Sequence, residues 1–573
     1  MMHDTATREM PWLQSYDKDV PARIDYEVAP LFAFLDEAAE RHPKQTAIIF
    51  RNYKVSYAKL RLLAERFAAN LRAQGVLPGD RVSVMLPNVP QAIIAFWGLL
   101  KAGCTVVMTN PLYMEKELVH QIHDSGAEYM IALDLVWPKI EPLRDRLGIR
   151  KFFITRISDA LGFPLNLLYR FKAKREGTWR DVPFDGETVI PWKTLFKKKE
   201  GYSAKVENPR EALALLQYTG GTTGISKGVM LTHYNLSVNV QQIKAILGES
   251  TRMRHTFLGL MPYFHVYGLT TCLTLPTALG ATIIPFPRYV PRDVLVGIDK
   301  HKPTIFPGAP SIYISLMQQK DVGEFDLKSI KYCISGSAPM PLEHIRRFHE
   351  LTGAQVIEGF GLTEASPVTH LNPIHGAQKP GSIGVPFPDT EARVVDMEVG
   401  LVPLPPGKIG ELIIRGPQVM QGYLNRPDET ANTLRNGWLY TGDIATMDED
   451  GYFFIVDRKK DMIIVGGYNV YPREIDEVLH EHPKVKEAVT VGVPHATRGE
   501  IIKAYIVPRE GVKLTKAEIV AHCREQLANY KVPKQVEFRN ELPKTIVGKV
   551  LRRILRAEEE ERLKNAPAGN GED

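Results

Sequence analysis

The sequence predicts an α/β protein with a large amino-terminal domain of α/β subdomains, a small β-rich subdomain and a smaller α+β carboxyl-terminal domain. Three observations lead to this fold class. The chain of 573 residues is too long for one ordinary domain. In the first 150 residues, short apolar strands alternate with amphipathic helices, which is typical of parallel sheets covered by helices. A stretch rich in Gly and Pro, about 381–456, interrupts that alternation with short β-type runs.

The first elements follow from their local patterns. Strands are predicted at 46–50, 81–86 and 105–108, and a helix at about 90–102 has Pro90 in its first turn. Between the first two strands, apolar residues recur at helical spacing on one face: Leu60, Leu63, Ala64, Phe67, Ala68 and Leu71. The alternation of strands and helices continues to about residue 385.

The rest of the chain changes character twice. Short β-type runs at 392–395 and 411–415 belong to the predicted β-rich subdomain. Mixed strands and helices return after 457–461, whose charged composition is typical of an exposed linker. The chain ends in a charged helix predicted at 550–564, and we expect the tail 565–573 to be disordered.

Composition bounds the class of protein. The hydrophobic fraction of 44%, the charged fraction of 24% and the net charge of +6 fit a globular enzyme that handles anions, whereas a nucleic-acid binder would concentrate more basic charge. The four cysteines are scattered without metal-ligand spacing, which predicts reduced, buried thiols. No signal peptide and no apolar run of membrane-spanning length are present, so we expect a cytoplasmic protein.

The segment 218–228, Tyr-Thr-Gly-Gly-Thr-Thr-Gly-Ile-Ser-Lys-Gly, follows a predicted buried strand at 212–216. Glycines let the backbone turn and present N–H groups to an anion, hydroxyl groups add donors, and Lys227 adds positive charge. The segment therefore predicts a phosphate-binding loop. Its spacing differs from that of a Walker A loop. A flexible surface loop would explain eleven such residues poorly.

Further segments carry polar residues suited to a nucleotide. Glu358-Gly-Phe-Gly-Leu-Thr-Glu364 offers an aromatic ring for a purine and a carboxylate for Mg²⁺. Asp443 follows a turn and suits paired ribose hydroxyls, and Arg458 could pair with a phosphate or the ribose. Lys549 follows a glycine ahead of a basic helix and could neutralise charge on a transferring phosphoryl group. Each residue alone could be an ordinary turn or surface residue, and the combination indicates an ATP site.

The order of these segments resembles the acyl-adenylate-forming superfamily of acyl-CoA synthetases, luciferases and carrier-protein-loading adenylation domains. The resemblance covers about residues 30–560 and is strongest to the bacterial long-chain fatty-acid–CoA ligases. The stretches that carry it are 359–369, 416–420, 457–463, 467–472 and 530–534. It implies an adenylation domain at 1–456, a hinge at 457–461 and a mobile carboxyl-terminal domain at 462–573.

The resemblance also implies roles for individual residues. The ATP phosphates would be held by Tyr218, Thr219, Gly220, Gly221, Thr222, Thr223, Gly224 and Lys227. The adenine pocket and its neighbourhood would be lined by Gly336, Ser337, Ala338, Glu358, Gly359, Phe360, Gly361 and Thr363. The remaining expected roles are Thr219 and Glu364 for Mg²⁺, Asp443 and Arg458 for the ribose, Lys549 for adenylation, His265 near the reacting carboxylate, and Gly466, Gly467 and Tyr468 for coenzyme A.

The implied reaction has two halves. A carboxylate attacks the α-phosphate of MgATP and releases pyrophosphate, and the thiol of coenzyme A then displaces AMP. The resemblance implies a long-chain fatty acid as substrate, with a medium-chain or aryl acid as the alternative within the class. Activation of an amino acid is disfavoured because Phe264-His-Val-Tyr-Gly268 has no Asp to pair with an ammonium group. A luciferase-type oxidation shares the adenylation step and stays open, as does a non-catalytic protein that binds nucleotide or fatty acid.

Two features bear on the acid and its source. Some long-chain synthetases have a gating Trp four residues after the matched histidine, whereas this chain has Leu269 there, so that gate cannot be assigned. The segment 161–175 is apolar and then basic, which suits either a peripheral contact with the inner face of an anionic membrane or a helix packed on the protein body. Acyl chain length and oligomeric state, including a homodimer, stay open.

Overall fold

The computed structural model describes residues 10–219, 226–336, 340–465, 468–495, 499–545 and 550–565. Its strands are β1 (Thr46–Phe50), β2 (Tyr53–Ser56), β3 (Arg81–Met85), β4 (Thr105–Met108), β5 (Tyr129–Leu133), β6 (Lys151–Thr155), β7 (Val189–Pro191), β8 (Leu213–Thr219), β9 (Lys227–Thr232), β10 (Thr256–Gly259), β11 (Thr282–Pro285), β12 (Ile305–Gly308), β13 (Tyr332–Ser335), β14 (Gln355–Gly361), β15 (Val368–Leu371), β16 (Val385–Pro386), β17 (Glu391–Val395), β18 (Gly410–Arg415), β19 (Gly422–Tyr423), β20 (Leu434–Arg435), β21 (Trp438–Met447), β22 (Phe453–Arg458), β23 (Ile463–Val465), β24 (Tyr468–Val470), β25 (Val485–His495), β26 (Gly499–Pro508) and β27 (Gln535–Phe538).

The α-helices are α1 (Ala33–Arg41), α2 (Tyr57–Ala73), α3 (Pro90–Ala102), α4 (Glu115–Ser125), α5 (Trp137–Ile140), α6 (Arg144–Leu147), α7 (Leu165–Arg175), α8 (His233–Leu247), α9 (Val266–Leu269), α10 (Leu275–Ala278), α11 (Pro291–His301), α12 (Pro310–Met317), α13 (Leu342–Thr352), α14 (Pro427–Thr433), α15 (Pro472–Glu481), α16 (Lys516–Gln526) and α17 (Arg552–Asn565). A π-turn, Thr270–Thr274, joins α9 to α10. Short 3-10 turns lie at Pro11–Ser15, Asp134–Val136, Glu141–Leu143, Ile157–Ala160, Trp192–Phe196, Gly248–Arg252, Val322–Glu324, Thr363–Ala365 and Asn529–Lys531.

Two large sheets confirm the predicted α/β class. The nine-stranded sheet has the order β16-β15-β14-β13-β12-β10-β11-β1-β2, and its strands β14, β13, β12, β10, β11 and β1 are parallel. The eight-stranded sheet has the order β19-β9-β8-β4-β3-β5-β6-β7, with β8 to β7 parallel and β9 and β19 antiparallel. Parallel strands place their carboxyl ends at one edge, where polar loops can converge on a ligand.

Two smaller sheets follow in the chain. One has the order β17-β18-β21-β20, with β22 beside β21, and its strands include the predicted runs at 392–395 and 411–415. The other has the order β24-β23-β26-β25, with β27 beside β26. Helices α15 and α16 complete this part, and it corresponds to the smaller carboxyl-terminal domain of the predicted fold class.

The chain forms two compact units. One contains 1–391 and 415–439, and the other contains 392–414 and 440–573. The first has a core cluster around Trp137 and Phe152 and another around Phe306 and Tyr313. The second has a cluster around Ile475 and another around Tyr505. The domain boundary at 456 and the hinge at 457–461 stay predictions.

Local sequence explains the first helices. The Ser56 hydroxyl caps α2 by accepting the Lys59 N–H at 3.3 Å, and Pro90 occupies the first turn of α3, as predicted. A Cβ on Gly98 of α3 would lie 2.4 Å from the Phe67 ring of α2, so a glycine lets these helices approach. The predictions for β1, α3 and β4 are confirmed to the residue, and the helix expected at 550–564 is α17.

The structure also tests the composition arguments. All four cysteines are free and buried, as predicted. Among the residues that the structure describes, no helix combines the length and the apolar character needed to cross a bilayer. The predicted disordered tail lies outside the described residues, except for Asn565 at the end of α17.

Candidate active site

The two ends of the predicted phosphate-binding segment lie in paired strands. Strands β8 and β9 pair antiparallel, with Tyr218 opposite Gly228 and Thr219 opposite Lys227. The predicted site residues Gly220, Gly221, Thr222, Thr223 and Gly224 lie outside the described residues. This pairing places the Thr219 and Lys227 positions side by side, so a hydroxyl residue and a cationic residue predicted to bind phosphate are neighbours.

Tyr218 anchors this hairpin rather than pointing freely at a ligand. Its hydroxyl donates to Asp124 Oδ2 at 2.7 Å, and its ring would lie 3.0 Å from a Cβ on Gly228. Burial, followed by the hydrogen bond to Asp124, raises the pKa of Tyr218, so the phenol stays neutral.

Lys227 is half-buried and has two neighbours. Its ammonium group pairs with the Glu429 carboxylate and lies 5.2 Å from the centre of the Tyr423 ring. Burial lowers the pKa of Lys227, the negative charge of Glu364 opposes that shift, and the positive charge of Arg426 adds to it. Lys227 and Glu364 therefore act on each other electrostatically, as two residues around one phosphate group would.

Glu364 lies close to the hairpin. The Tyr423 hydroxyl donates to Glu364 Oε1 at 2.7 Å, and the Met420 N–H donates to the Glu364 carbonyl at 2.8 Å. Tyr423 belongs to β19, which pairs with β9. The structure thus brings the predicted metal carboxylate to the strand that begins at Lys227. The neighbouring Thr363 is buried.

The predicted adenine-pocket residues lie at the carboxyl ends of neighbouring parallel strands. Ser335 pairs with Glu358, which places Gly336 beside the Gly359–Phe360 segment. Ser337 and Ala338 lie outside the described residues. The Glu358 carboxylate is buried and accepts the N–H groups of Met340 at 3.1 Å and Gly381 at 3.2 Å, so it braces this edge.

The two glycines around Phe360 have a packing explanation. A Cβ on Gly359 would lie 2.7 Å from the Leu371 side chain, and a Cβ on Gly361 would lie 2.3 Å from the Pro367 carbonyl oxygen. Close pairing of β14 with β15 therefore requires glycine at Gly361, where the clash is with backbone, whereas at Gly359 the Leu371 side chain would have to shift. Contact of Phe360 with a purine stays a prediction; in the structure its ring packs edge-on against His370.

His265 precedes α9 and caps it. Its Nδ1 accepts the Tyr267 N–H at 3.2 Å, so the neutral ring carries its proton on Nε2. Burial lowers the pKa of His265 to about 4. Gln217, next to Tyr218 on β8, donates to the Phe264 carbonyl at 2.7 Å. This bond joins the His265 segment to the hairpin that is predicted to bind phosphate.

Tyr267 links the same segment to the adenine side. Its hydroxyl donates to the carbonyl oxygens of Gly308 and Ile334, and its ring would lie 3.5 Å from a Cβ on Gly336. The residues predicted for phosphate, adenine and carboxylate thus converge within the first unit.

In the second unit, Asp443 and Arg458 are opposite each other on β21 and β22. Arg458 Nε contacts Asp443 Oδ1 at 2.8 Å. The second carboxylate oxygen, Asp443 Oδ2, is buried and has no hydrogen-bond partner among the described residues. An unsatisfied buried carboxylate oxygen is costly, and the hydroxyl groups of a ribose would satisfy it.

The remaining predicted residues of the second unit are less defined. Tyr468 is exposed and stacks on Tyr530 with ring centres 4.8 Å apart. Lys549, Gly466 and Gly467 lie outside the described residues. In the predicted hinge, the Asp457 carboxylate accepts the N–H groups of Arg458 and Arg473, each at 2.7 Å.

The sequence pattern missed three residues that contact the predicted site. They are Asp124, Tyr423 and Glu429, which hold Tyr218, Glu364 and Lys227 respectively. Each lies more than 50 residues from its partner along the chain, apart from any motif, so only tertiary proximity identifies it.

Comparison with known proteins agrees with this arrangement. Residues 35–424 match the protein family described as "AMP-binding enzyme". Residues 474–549 match the family described as "AMP-binding enzyme C-terminal domain". The first match covers the hairpin, Glu364 and His265, and the second covers the predicted Lys549.

Relatives extend over nearly the whole chain. A long-chain-fatty-acid–CoA ligase of Bacillus subtilis (strain 168) is 46% identical over 556 residues, 96% of this chain and 99% of the relative. One of Escherichia coli O6:H1 is 39% identical over 564 residues, 97% and 99% of the two chains. The crystal structure of the anthranilate CoA ligase AuaEII in complex with anthranoyl-AMP has a TM-score of 0.81 and 26% identity, covering 94% of this chain and 98% of that chain.

Proposed function

Because the chain belongs to the AMP-binding enzyme family, we propose that it activates a long-chain fatty acid with ATP and transfers the acyl group to coenzyme A. The observation that carries this proposal is the joining of the phosphate hairpin, Glu364 and His265 in a chain that is 46% identical to a long-chain-fatty-acid–CoA ligase. The products are pyrophosphate, AMP and the fatty acyl-CoA.

In the first half-reaction, a carboxylate oxygen of the acid attacks the α-phosphorus of ATP. The bond from that phosphorus to the bridging oxygen breaks, and pyrophosphate leaves with the electron pair. Thr219 and Lys227 hold the phosphates at the base of the hairpin, and Lys549 adds positive charge where negative charge develops. Asp443 and Arg458 hold the ribose in the second unit.

Glu364 and Thr219 would hold Mg²⁺. Magnesium in nucleotide sites takes one or two carboxylates and completes its shell with phosphates and water. Glu364 fits this pattern, because it supplies one carboxylate whose Oε1 accepts the Tyr423 hydroxyl and whose second oxygen accepts no hydrogen bond among the described residues. When bound, Mg²⁺ would neutralise charge on the phosphates.

His265 would orient the substrate carboxyl group. Since Nδ1 accepts a backbone N–H, Nε2–H is the donor that remains, and with a pKa of about 4 the ring is neutral at pH 7. A neutral donor can hydrogen-bond the carboxylate before adenylation and the acyl carbonyl oxygen while the thiol of coenzyme A attacks. Carbon–sulfur bond formation then expels AMP.

The proposed substrate is a long-chain acid, and burial of its chain would select it over shorter acids. Each buried methylene contributes about 0.8 kcal/mol, so a long chain gains affinity over a short one if a tunnel exists. Leu269 is fully buried and small compared with a gating Trp. An aryl acid is the alternative, which the likeness to an anthranilate CoA ligase supports.

Pyrophosphate release, measured across acids of increasing length with and without coenzyme A, tests the proposal. We expect release that depends on the acid and kcat/KM that rises with chain length and exceeds that for benzoate. Faster turnover of benzoate would favour an aryl substrate, and release independent of any acid would contradict a ligase.

We also propose a peripheral contact with anionic lipid at the inner face of the cytoplasmic membrane, through α7. Phe163 and Phe171 are 80% and 72% exposed, and Leu167 and Leu168 are also exposed. In the helix, these last two and Phe171 lie at spacings of three and four residues and so share a face. Ala173, on the opposite side of α7, is buried against the protein.

Charge favours a lipid surface as the partner. Helix α7 carries Arg170, Lys172, Lys174 and Arg175 and no acidic residue. All four basic side chains are exposed, and Arg170 and Lys174 also lie over the Trp179 ring. Basic residues near an anionic surface contribute about 1 kcal/mol each, and apolar side chains between them add burial.

Co-sedimentation with vesicles containing phosphatidylglycerol tests this contact. We expect Phe163→Ser with Phe171→Ser, and separately charge reversal at Lys172, Lys174 and Arg175, to weaken binding about tenfold or more. The matched control changes two exposed apolar residues elsewhere, Val399→Ser with Leu401→Ser, and should bind like the unmodified protein. Undiminished binding of both α7 variants would contradict the proposal.

A homodimer stays a prediction that sedimentation velocity tests.

A further inference from the structure

The side chain of Glu364 is held by a neutral donor. Tyr423 is 8% exposed, and its hydroxyl donates to Glu364 Oε1 at 2.7 Å. Among the residues that the structure describes, this is the one hydrogen bond to that carboxylate. One carboxylate oxygen is therefore fixed by a phenol, and the second is left for a further partner.

The backbone fixes both residues of the pair. Tyr423 pairs with Val229 in the sheet, and its N–H donates to Thr430 Oγ1 at 2.9 Å. The Met420 N–H holds the Glu364 carbonyl at 2.8 Å. The short segment 420–423 therefore locates Glu364 through its main chain and through its side chain.

A neutral donor suits a carboxylate that must bind a cation. An arginine or lysine at this place would neutralise Glu364 and compete with the metal, whereas a phenol orients the carboxylate and leaves its charge in place. A phenol has an ordinary pKa of about 10, so the hydroxyl keeps its proton at pH 7. The same ring lies 5.2 Å from the ammonium group of Lys227.

We propose that Tyr423 is a positioning residue for the metal: its hydroxyl orients the Glu364 carboxylate that binds the divalent cation accompanying ATP. This rests on the proposed function, in which Glu364 holds Mg²⁺. Hydrogen-bond partners of metal ligands typically change metal affinity about 10–100-fold when they are removed. Lys227 packs against the same ring, so Tyr423 also connects the metal ligand with the phosphate-binding lysine.

The test replaces only the hydroxyl group, with Tyr423→Phe in the full-length protein. Mn²⁺ serves as the probe, and its binding is followed by electron paramagnetic resonance in the presence of α,β-methylene-ATP, which cannot be cleaved at the reacting bond. We expect about tenfold weaker Mn²⁺ binding, an unchanged affinity for the nucleotide without metal, and a Tm close to that of the unmodified protein.

The matched control is Tyr26→Phe. Tyr26 also donates to a carboxylate, Asp389 Oδ2, at 2.9 Å, but takes no part in the candidate site. We expect this variant to bind Mn²⁺ like the unmodified protein. Equal loss of metal affinity in both variants would show a general structural effect and overturn the proposal.

Glu364→Gln separates this inference from the proposed function. If Glu364→Gln weakens Mn²⁺ binding and Tyr423→Phe does not, the positioning role is wrong and the metal assignment stands. If Glu364→Gln leaves Mn²⁺ binding unchanged, Glu364 is not the metal ligand, and the metal assignment of the proposed function fails together with this inference.

Discussion

At the residue scale, the buried His233 and the half-buried His265 make the protein sensitive to acid. Burial lowers the pKa of His233 and of His265 to about 4, below the ordinary value of 6.5. His233 Nδ1 accepts the Leu31 N–H at 3.1 Å, so the folded protein uses its neutral form. Both side chains contribute to the fold, because each accepts a hydrogen bond from a backbone N–H.

The sign of the resulting pH dependence follows from the direction of these shifts. Between about pH 6.5 and pH 4 the unfolded chain binds protons that the folded protein refuses, so stability falls as the pH falls through this range. From pH 7 to pH 5.5, each such histidine costs about 1 kcal/mol of unfolding free energy. We expect the Tm to fall over this interval.

A variant isolates one of these histidines. In His233→Gln, the fall in Tm between pH 7 and pH 5.5 should be smaller than in the unmodified protein, because one titrating group is gone. His42→Gln, at an exposed position, controls for the loss of an imidazole. A pH dependence that is identical in the His233 variant and the unmodified protein would contradict a buried neutral histidine there.

At the scale of elements, α17 is attached to the rest of its unit by arginines. Arg552 at its start pairs with Asp476 of α15 and donates from Nε to the Thr490 carbonyl at 3.1 Å. One turn later, Arg556 donates to the carbonyl oxygens of Lys460 and Asp461 at 2.9 and 3.0 Å. These bonds hold α17, which follows the predicted Lys549, against the predicted hinge.

The Arg552–Asp476 ion pair should contribute to stability, because the Asp476 carboxylate is buried and water cannot replace Arg552 as its partner. Burial raises the pKa of Asp476, and the positive charge of Arg552 opposes that rise. Arg552→Ala should lower stability by about 3 kcal/mol, since breaking a buried ion pair leaves an uncompensated charge. Urea unfolding would measure this loss of unfolding free energy as a lower midpoint concentration for the variant.

Two comparisons make that result specific. Adding Asp476→Asn to Arg552→Ala should recover part of the loss, because the unpaired charge is removed. Arg562→Ala, whose side chain is half exposed, should cost less than about 1 kcal/mol, as exposed pairs do. Equal effects of the two arginine variants would show that burial of the pair is unimportant.

At the scale of the whole molecule, the predicted site residues fall into two sets, one in each compact unit. The hairpin, Glu364 and His265 belong to the first unit, whereas Asp443, Arg458 and Lys549 belong to the second. The resemblance to acyl-adenylate-forming enzymes implies that the carboxyl-terminal domain pivots near residue 457, which would withdraw Lys549 after adenylation and bring the 465–468 loop to coenzyme A. The two half-reactions would then use different residues of the second unit.

Lys549→Ala tests this division. Adenylation, measured as pyrophosphate release, should fall by a factor of about 100 or more, because the positive charge that stabilises the transition state is lost. Thioester formation from supplied acyl-AMP and coenzyme A should fall much less. Equal loss of both half-reactions would contradict alternation between two arrangements.

Local pattern was sufficient to predict much of the fold and the chemical class of the site. Strand β4 and helix α3 are confirmed to the residue because a short apolar run and a helical repeat between Pro90 and Gly103 depend on neighbours in sequence. Strand β8 overlaps the strand predicted at 212–216, and β9 begins within the predicted loop 218–228. Glycines, hydroxyls and a lysine in one continuous segment indicate anion binding before any folding is known.

Tertiary structure decided which distant residues contact the predicted site, because no single segment contains both partners. Tyr423 meets Glu364, 59 residues earlier in the chain, and Asp124 meets Tyr218, 94 residues later. It also turned Phe163, just before α7, and Phe171, on α7, outward, which the apolar pattern of 161–175 could not distinguish from burial. By itself the sequence determined the order of the elements, and it predicts anion-binding chemistry for the segment 218–228. Only folding determined the partners, because hydrogen bonds and burial depend on contacts between distant parts of the chain.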